Sequence, residues 1–431
     1  MRAGMLSIAL FVVLAAPANA ATWKVFGDVS RGPAGADIFP RGMAVDAKGR
    51  ATVAFHRYDL SGSQRVAGSG RIMVTERAPG DDRFSDPYEV PVRNARLESM
   101  LVAPDGRGAL LYTTPAGDCM GGPCPVAVRV SLRGAGGRFG AGEVVADGVY
   151  QPSMAMDDRG RPTVTWVTDD VRAGTDRDLF VAERVGSGWR TKRLARALID
   201  DVTVAVGPRG DAVVAWTHNP PLRRSIDDPI VVGKPPRAVF RRAGGKFGGS
   251  VEYGAKGTGT PAAAGVDAAG NVLLVTPRGS SKLVARYRRA GGKLGGSRTI
   301  ATGAQGARVL MAPNGDAVVT YSSGERTHAR QRIRSGAYGP AEAVGPARAG
   351  AVVAIGQPLL AMVFEHGQGD AESPVRAYVR RASGGFAEER LLTRDRWEIE
   401  SVFAANARGH AIAAWTTAGA DQRVAVAVRT P

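Results

Sequence analysis

One pattern recurs along nearly the whole chain at intervals of about fifty residues, and it restricts the fold more than any other feature. It is clearest from Val206 to Trp216, where an apolar run enters a tight turn ending in Gly210 and an aromatic residue follows that glycine by six positions. The same frame joins Gly49 to Phe55, Gly106 to Tyr112, Gly160 to Trp166, Gly315 to Tyr321 and Gly409 to Trp415. Gly270 keeps the frame with Thr276 at the aromatic position, and the degenerate stretch from Ala351 to Phe364 brings the copies to eight.

Each copy reads as a β-hairpin, because Asp, Asn, Pro and Gly separate two short runs rich in Val, Ala, Thr and aromatics. The runs are too short, too β-branched and too often broken by Gly for helices. After the turn the strand is apolar on both faces, as in Ala212-Val213-Val214-Ala215-Trp216, so it must be covered by other sheets on both sides. A second hairpin follows each first one. Its turn is Gly-Gly in Val239 to Phe247 and Val284 to Leu294, with relatives at Arg133 to Phe139, Arg380 to Phe386 and Val185 to Trp189. Arg241, Arg242, Arg286, Arg288, Arg289, Arg380 and Arg381 crowd the end of the third strand, where cationic side chains discourage edge-to-edge pairing.

Four-stranded units stacked face to face predict an all-β protein, an eight-bladed β-propeller of antiparallel blades, with seven blades as the alternative. The chain ends predict how the ring closes. The last copy stops at Arg423 to Arg429, a third strand with no fourth after it, whereas Thr22-Trp23-Lys24-Val25-Phe26 precedes the first copy and resembles a fourth strand such as Gly188 to Leu194. We expect it to pair beside Val424 to Val428; a linear solenoid would show polar caps instead.

Residues 1–20 have the three parts of a secretory signal peptide: a basic start at Arg2, an apolar run from Met5 to Ala16, and Ala18-Asn19-Ala20 as the cleavage site. A single propeller domain is then expected over 21–431, exported, extracellular and monomeric, with no membrane insertion. With 44% hydrophobic residues the chain can build a core, and 57 Gly with 26 Pro suit many turns. The 2 cysteines, Cys119 and Cys124, close a short Gly/Pro loop and are expected to form a disulfide outside the cell. The net charge of +17 favours acidic partners through a summed field. Nucleic acid is not expected, because the arginines repeat with the units rather than forming one stripe.

The repeat resembles those of secreted bacterial β-propellers of the sialidase-like and NHL-like kinds, over essentially all of the exported chain. The resemblance implies architecture and little about chemistry, since propellers host hydrolases, lyases, lectins and scaffolds. A sialidase Asp box would read Ser-x-Asp-x-Gly-x-x-Trp. Here the aromatic stands six residues after the Gly, and Met156 occupies the Ser position before Asp158-Arg159-Gly160.

In a propeller the first strands line the central channel, and its mouth shares a face with the loops from second to third strands. Those loops are unequal here, running over 56–71, 113–126, 168–178, 217–237 and 365–376. Residues just ahead of the first strands should ring the mouth: Arg41, Glu98, Gln151, Asp201 and Glu400. They are our candidate ligand-binding set, and Glu98 with Glu400 would be an acid and base if they approached within the span glycosidases use. His56, His218 and His366 read as separate loop histidines, with no shared metal expected. Asp169, Asp170, Asp176 and Asp178 crowd one loop where calcium would find oxygens, though without an EF-hand frame, and no other cofactor is expected. Among the motifs, a nucleophile elbow, a phosphate loop, HExxH and a dinucleotide fingerprint are all absent from the sequence. The expectation is a non-catalytic binding or scaffold protein for a glycan, an anionic wall polymer or another protein; the alternative is a glycan-active hydrolase or lyase.

Overall fold

The computed structural model describes residues 21–31, 36–61, 64–66, 68–115, 126–168, 176–218, 234–255, 263–279, 282–324, 326–345, 349–354, 360–365, 374–380, 384–393, 397–417 and 422–431. For residues 200, 305, 349–354, 363–365 and 397–401 it describes the backbone alone. The signal-peptide reading of 1–20, Cys119, Cys124, Asp169, Asp170 and His366 lie outside the described residues.

Among the described residues all regular structure is β, in six four-stranded antiparallel sheets, one of seven strands and one small hairpin. Strands follow sequence order within every sheet but the one that pairs the two ends of the chain, as short hairpin connections require. Unit 1 is Asp37–Val45, Ala51–Tyr58, Arg71–Arg77 and Tyr88–Arg93. The seven-stranded sheet holds units 2 and 3, because the long strand Glu143–Met156 pairs through its first half with Val126–Arg133 and through its second half with Pro162–Thr168. Units 4 to 7 begin at Ile199–Val206, Ala263–Val266, Ala304–Met311 and Ala349–Ala354. Unit 8 combines Trp397–Ala405, Ala411–Thr417 and Arg423–Thr430 with Thr22–Phe26 from the other end of the chain, in a register from Thr22 opposite Thr430 to Phe26 opposite Val426.

The apolar second strands are explained by what lies on their two faces. Ala212, Val214 and Trp216 face unit 3, packing with Leu179, Val181 and Ala197, while Val213 and Ala215 face Val266, Val272 and Leu274 of unit 5. The same division recurs at the far end. Ala411, Ala413 and Trp415 pack against Leu360 and Met362 of unit 7, while Ile412 and Ala414 pack against Val53, Phe55 and Met73 of unit 1. Each fully buried Val or Leu contributes about 1.5–3 kcal/mol, so the core is distributed between sheets rather than gathered at one centre.

The turns interlock too. Asp46 accepts the backbone N–H groups of Lys48 and Arg50 within its own turn, and its Oδ2 lies where a Cβ on Gly106 would approach to 3.3 Å. Gly106 has φ +91, so both its backbone and its neighbour call for glycine.

The arginines at the ends of the third strands are not simply edge guards. Arg133 pairs with Glu76 of unit 1, Arg184 with Glu143 of unit 2, Arg241 with Glu183 of unit 3, Arg380 with Glu342 of unit 6 and Arg429 with Glu389 of unit 7. Where the preceding unit offers an aromatic ring instead, the guanidinium stacks on it: Arg288 on Phe240 at 4.3 Å and Arg332 on Tyr287 at 4.1 Å. Arg77 of unit 1 stacks on Phe26 of unit 8 at 5.2 Å. Each of these arginines therefore reaches back to the unit before it, and much of the positive charge is answered between units. Burial pulls the Arg133 and Arg241 guanidinium groups down to about 10, with Arg50 and Arg161 adding to the effect, so both stay charged at neutral pH.

Candidate functional site

The frame that sets the aromatic six residues after the turn glycine also sets a defect opposite it. Phe55 pairs with Pro40, Tyr112 with Leu97, Trp216 with Val202, Tyr321 with Ala307 and Trp415 with Ser401, and beside each of these partners the first strand carries extra residues that break the register. The extra residues are Arg41, Glu98, Asp200-Asp201, Gly306 and Ile399-Glu400, and Gln151-Pro152 form the same break opposite Trp166. A buried aromatic fills the space under the strand and the bulge turns the unpaired residue away from the ladder. All five candidate ligand-binding residues thus stand at bulges in equivalent strands.

The structure brings two of the five together. Glu98 and Gln151 line one cavity of about 740 Å³, within the range of small-ligand sites, formed where units 1, 2 and 3 meet on the side of the unequal loops. Its walls include Tyr58, Asn94, Arg96, Thr113, Thr114 and Tyr150. Glu98 accepts a hydrogen bond from Thr113 Oγ1 at 3.1 Å, and its carboxylate lies 3.5 Å from Arg96 Nε. Gln151 Oε1 is buried and accepts no hydrogen bond among the described residues. Arg41 and Asp201 occupy their own bulges and do not line this cavity, although the charge of Arg41 acts on Tyr58 in its wall; Asp201 donates its backbone N–H to Thr217 Oγ1 at 3.3 Å. For Glu400 the structure describes only the backbone bulge, so its side chain lies outside the described residues.

His56 and His218 differ from the loop histidines expected, because both close second strands and are buried. His56 Nε2 accepts the backbone N–H of Leu97, tying unit 1 to the first strand of unit 2 beside the cavity. Burial, with the positive charges of Arg41, Arg96 and Arg65 behind it, lowers the His56 imidazole from 6.5 to about 3, so the ring is neutral at physiological pH, as its acceptor role requires. Arg65 pairs with Asp37 and stacks on Tyr58 at 4.8 Å, bracing that ring at the cavity wall.

Among the described residues no three His, Cys, Asp or Glu side chains gather as metal ligands. Of the acidic loop, Asp178 lies 3.5 Å from Arg193, and Asp176 is exposed.

Sequence reading missed Tyr58, Asn94, Arg96 and Tyr150. Tyr58 belongs to a strand of unit 1, Asn94 to the connection into unit 2 and Tyr150 to the strand shared with unit 3, so only packing joins them. One local signal was present: Asn94 and Gln151 are two of three non-glycine residues with positive φ among the described residues, at 53° and 49°. An Asn followed by a short apolar-polar alternation hints at such a turn, but a Gln does not.

No family model matches the chain, and no curated protein matches it either. Similar solved structures include prolyl oligopeptidase B from Galerina marginata, at 12% identity and a TM-score of 0.51, covering 90% of this chain and 56% of that one. They also include the β-propeller domain of the Trilobed protease from Pyrococcus furiosus, at 10% identity and a TM-score of 0.47, covering 83% and 98%, and a virginiamycin B lyase from Staphylococcus aureus, at 10% and 0.44, covering 94% and 99%. The chain spans about half of the oligopeptidase, and at this identity the likeness is one of fold alone. The repeated four-stranded antiparallel sheets make the architecture all-β, and the structures the chain is similar to include a β-propeller domain.

Proposed function

We propose that the chain is an exported, monomeric binding or scaffold protein, an eight-bladed propeller closed by its N-terminal strand, which holds its ligand in the cavity between units 1, 2 and 3. The ring reading is supported by apolar clusters that link each unit to the next and unit 8 to unit 1, and by the arginine contacts that follow the same order. Export is supported by the three-part signal at residues 1–20, and it would favour a Cys119–Cys124 disulfide.

The observation that carries the binding reading is the cavity itself, assembled at the sequence-predicted face around two register breaks. Its ligand is a glycan, an anionic wall polymer or a segment of another protein. Among the described residues lining it, Glu98 is the one carboxylate, held by Thr113 and Arg96, so its walls are suited to recognition rather than to paired acid and base catalysis.

The test is a binding screen of residues 21–431 against glycans, wall polymers and extracellular proteins, repeated with Thr114→Trp at the cavity and Val251→Asp on an exposed strand of unit 4 outside its lining. Loss of binding in the first variant only is the expected result. Equal binding by both variants would refute the site, and turnover of a glycan abolished by Glu98→Gln would replace the binding reading with an enzymatic one.

A further inference from the structure

We propose that the protein carries a second ligand site, at the opposite ends of the strands from the first cavity, and that it takes a phosphate group. The strand Glu143–Met156 gives Gln151 and Pro152 to the first cavity, and the turn that follows it, beginning at Asp157, opens a second cavity of about 310 Å³ where units 3 and 4 meet. That volume is at the lower end of small-ligand sites and fits a phosphate with part of its carrier. Among the lining residues, Gly186 and Gly244 have open space where a side chain would stand, which leaves the approach clear on their side.

Four guanidinium groups line the cavity, those of Arg161, Arg184, Arg190 and Arg241, against the two carboxylates of Asp157 and Glu183. Arg161 donates through Nε to Asp157 at 2.7 Å, and Arg184 reaches outside the lining to both oxygens of Glu143. Glu183 serves two groups: Arg190 donates to its Oε2 at 2.9 Å, and Arg241 pairs with its Oε1. Arg161 and Arg184 are thus each matched by a carboxylate, while Arg190 and Arg241 share one, which leaves one positive charge unanswered among the groups of the cavity.

That charge is held where it costs most. The side chains of Arg241 and Glu183 are each 10% exposed, and Arg241 donates besides only to the Gly210 carbonyl at 2.7 Å, with its buried Nε–H making no hydrogen bond. Burial first, and the charge of Arg161 second, press on the Arg241 guanidinium, and an anion placed between them relieves both. Arg161 and Arg190 are 45% and 52% exposed, and each keeps N–H groups that its carboxylate does not use. The three arginines come from a turn of unit 3, the strand Gly188–Ala197 and the strand Arg237–Arg241 of unit 4, so donors are supplied from several sides, which suits the tetrahedral oxygens of a phosphate better than a planar carboxylate.

The experiment titrates residues 21–431 with inorganic phosphate, glycerol phosphate and acetate by calorimetry at constant ionic strength, for the wild type, Arg161→Gln, Arg190→Gln, Thr114→Trp in the first cavity, and Arg334→Gln, which removes the same charge from an exposed turn of unit 6. Thermal melts establish that the variants are folded. Both phosphates should bind at least tenfold tighter than acetate, Arg161→Gln and Arg190→Gln should each weaken them at least tenfold, and Thr114→Trp and Arg334→Gln should leave them unchanged. Phosphate bound no tighter than acetate, or lost equally in Arg334→Gln, reduces the site to the summed field of a basic protein and overturns the proposal. Loss in Thr114→Trp moves the anion to the first cavity and overturns it as well. Cosedimentation with phosphatidylglycerol vesicles, beside phosphatidylcholine vesicles, separates the two sources of such a group: association abolished by Arg190→Gln assigns a lipid headgroup, and glycerol phosphate binding without association assigns a soluble phosphate ester.

Discussion

Replacing Arg429 by Met tests whether the arginines hold neighbouring sheets together. The Arg429 side chain is 4% exposed, donates through Nε and a terminal nitrogen to both oxygens of Glu389 at 2.8 and 2.7 Å, and donates a third hydrogen bond to the Gly409 carbonyl at 2.7 Å. Glu389 also accepts from Trp23 Nε1 at 2.7 Å, so one carboxylate joins unit 7 to both the last strand and the N-terminal strand of unit 8. Methionine retains the apolar stem and removes the charge, leaving Glu389 mostly enclosed with only the indole. Breaking a buried pair from one side costs 3–5 kcal/mol; since Glu389 keeps 17% exposure and one donor, about 3 kcal/mol is expected. Glu389→Gln should cost about 2 kcal/mol, and the double variant about 2 kcal/mol less than the sum of the two, because the charge stranded in each single variant is absent.

The acid limb supplies a second reading of the same contact. Burial would raise the Glu389 carboxyl, but the bonds from Arg429 and Trp23 outweigh it and hold it below its ordinary 4.5. A depressed carboxylate stabilises the fold above its unfolded value and loses that contribution as pH falls through the folded value, so stability should drop below about pH 4.5 in the wild type and more shallowly in Arg429→Met. Urea unfolding measured at pH 7 and across the acid limb checks both. A change under 0.5 kcal/mol, or strict additivity in the cycle, would show that these arginines are solvated guards of an edge.

Gly270→Ala should destabilise by about 2–3 kcal/mol in the same assay, since φ is +81 and the new Cβ would lie 2.5 Å from Asp211 Oδ1, whereas Gly249→Ala, with open space around it, should be neutral within about 0.5 kcal/mol. His56 binds protons less readily folded than unfolded, so stability should fall by about 2 kcal/mol between pH 7 and pH 5, and His56→Gln should flatten that slope; an NMR titration showing His56 protonated at pH 5 would contradict the buried acceptor role. Deleting residues 21–26 should lower stability and expose the edge of Arg423–Thr430, and a peptide of those residues added in trans should restore the thermal midpoint; a deletion with an unchanged midpoint would remove the N-terminal strand from the closure.

The local grammar was legible without coordinates because its causes are local. A glycine obliged to take positive φ, a β-branched run on each side and an aromatic at constant spacing define a hairpin whatever lies around it, and the strand-like Thr22–Phe26 is recognisable because the last unit lacks a partner for Arg423–Thr430. The alignment that placed Arg41, Glu98, Gln151, Asp201 and Glu400 at equivalent positions likewise needed only the constant distance from each turn. Tertiary structure decided the rest. Whether an extra residue becomes a bulge depends on the partner strand's register, and whether an arginine guards an edge or pairs with Glu389 depends on which sheet arrives beside it. Glu98 and Gln151 share a cavity while Asp201 does not, because the meeting of three sheets, determined by packing across long sequence separations, has no counterpart in the spacing of residues along any one of them.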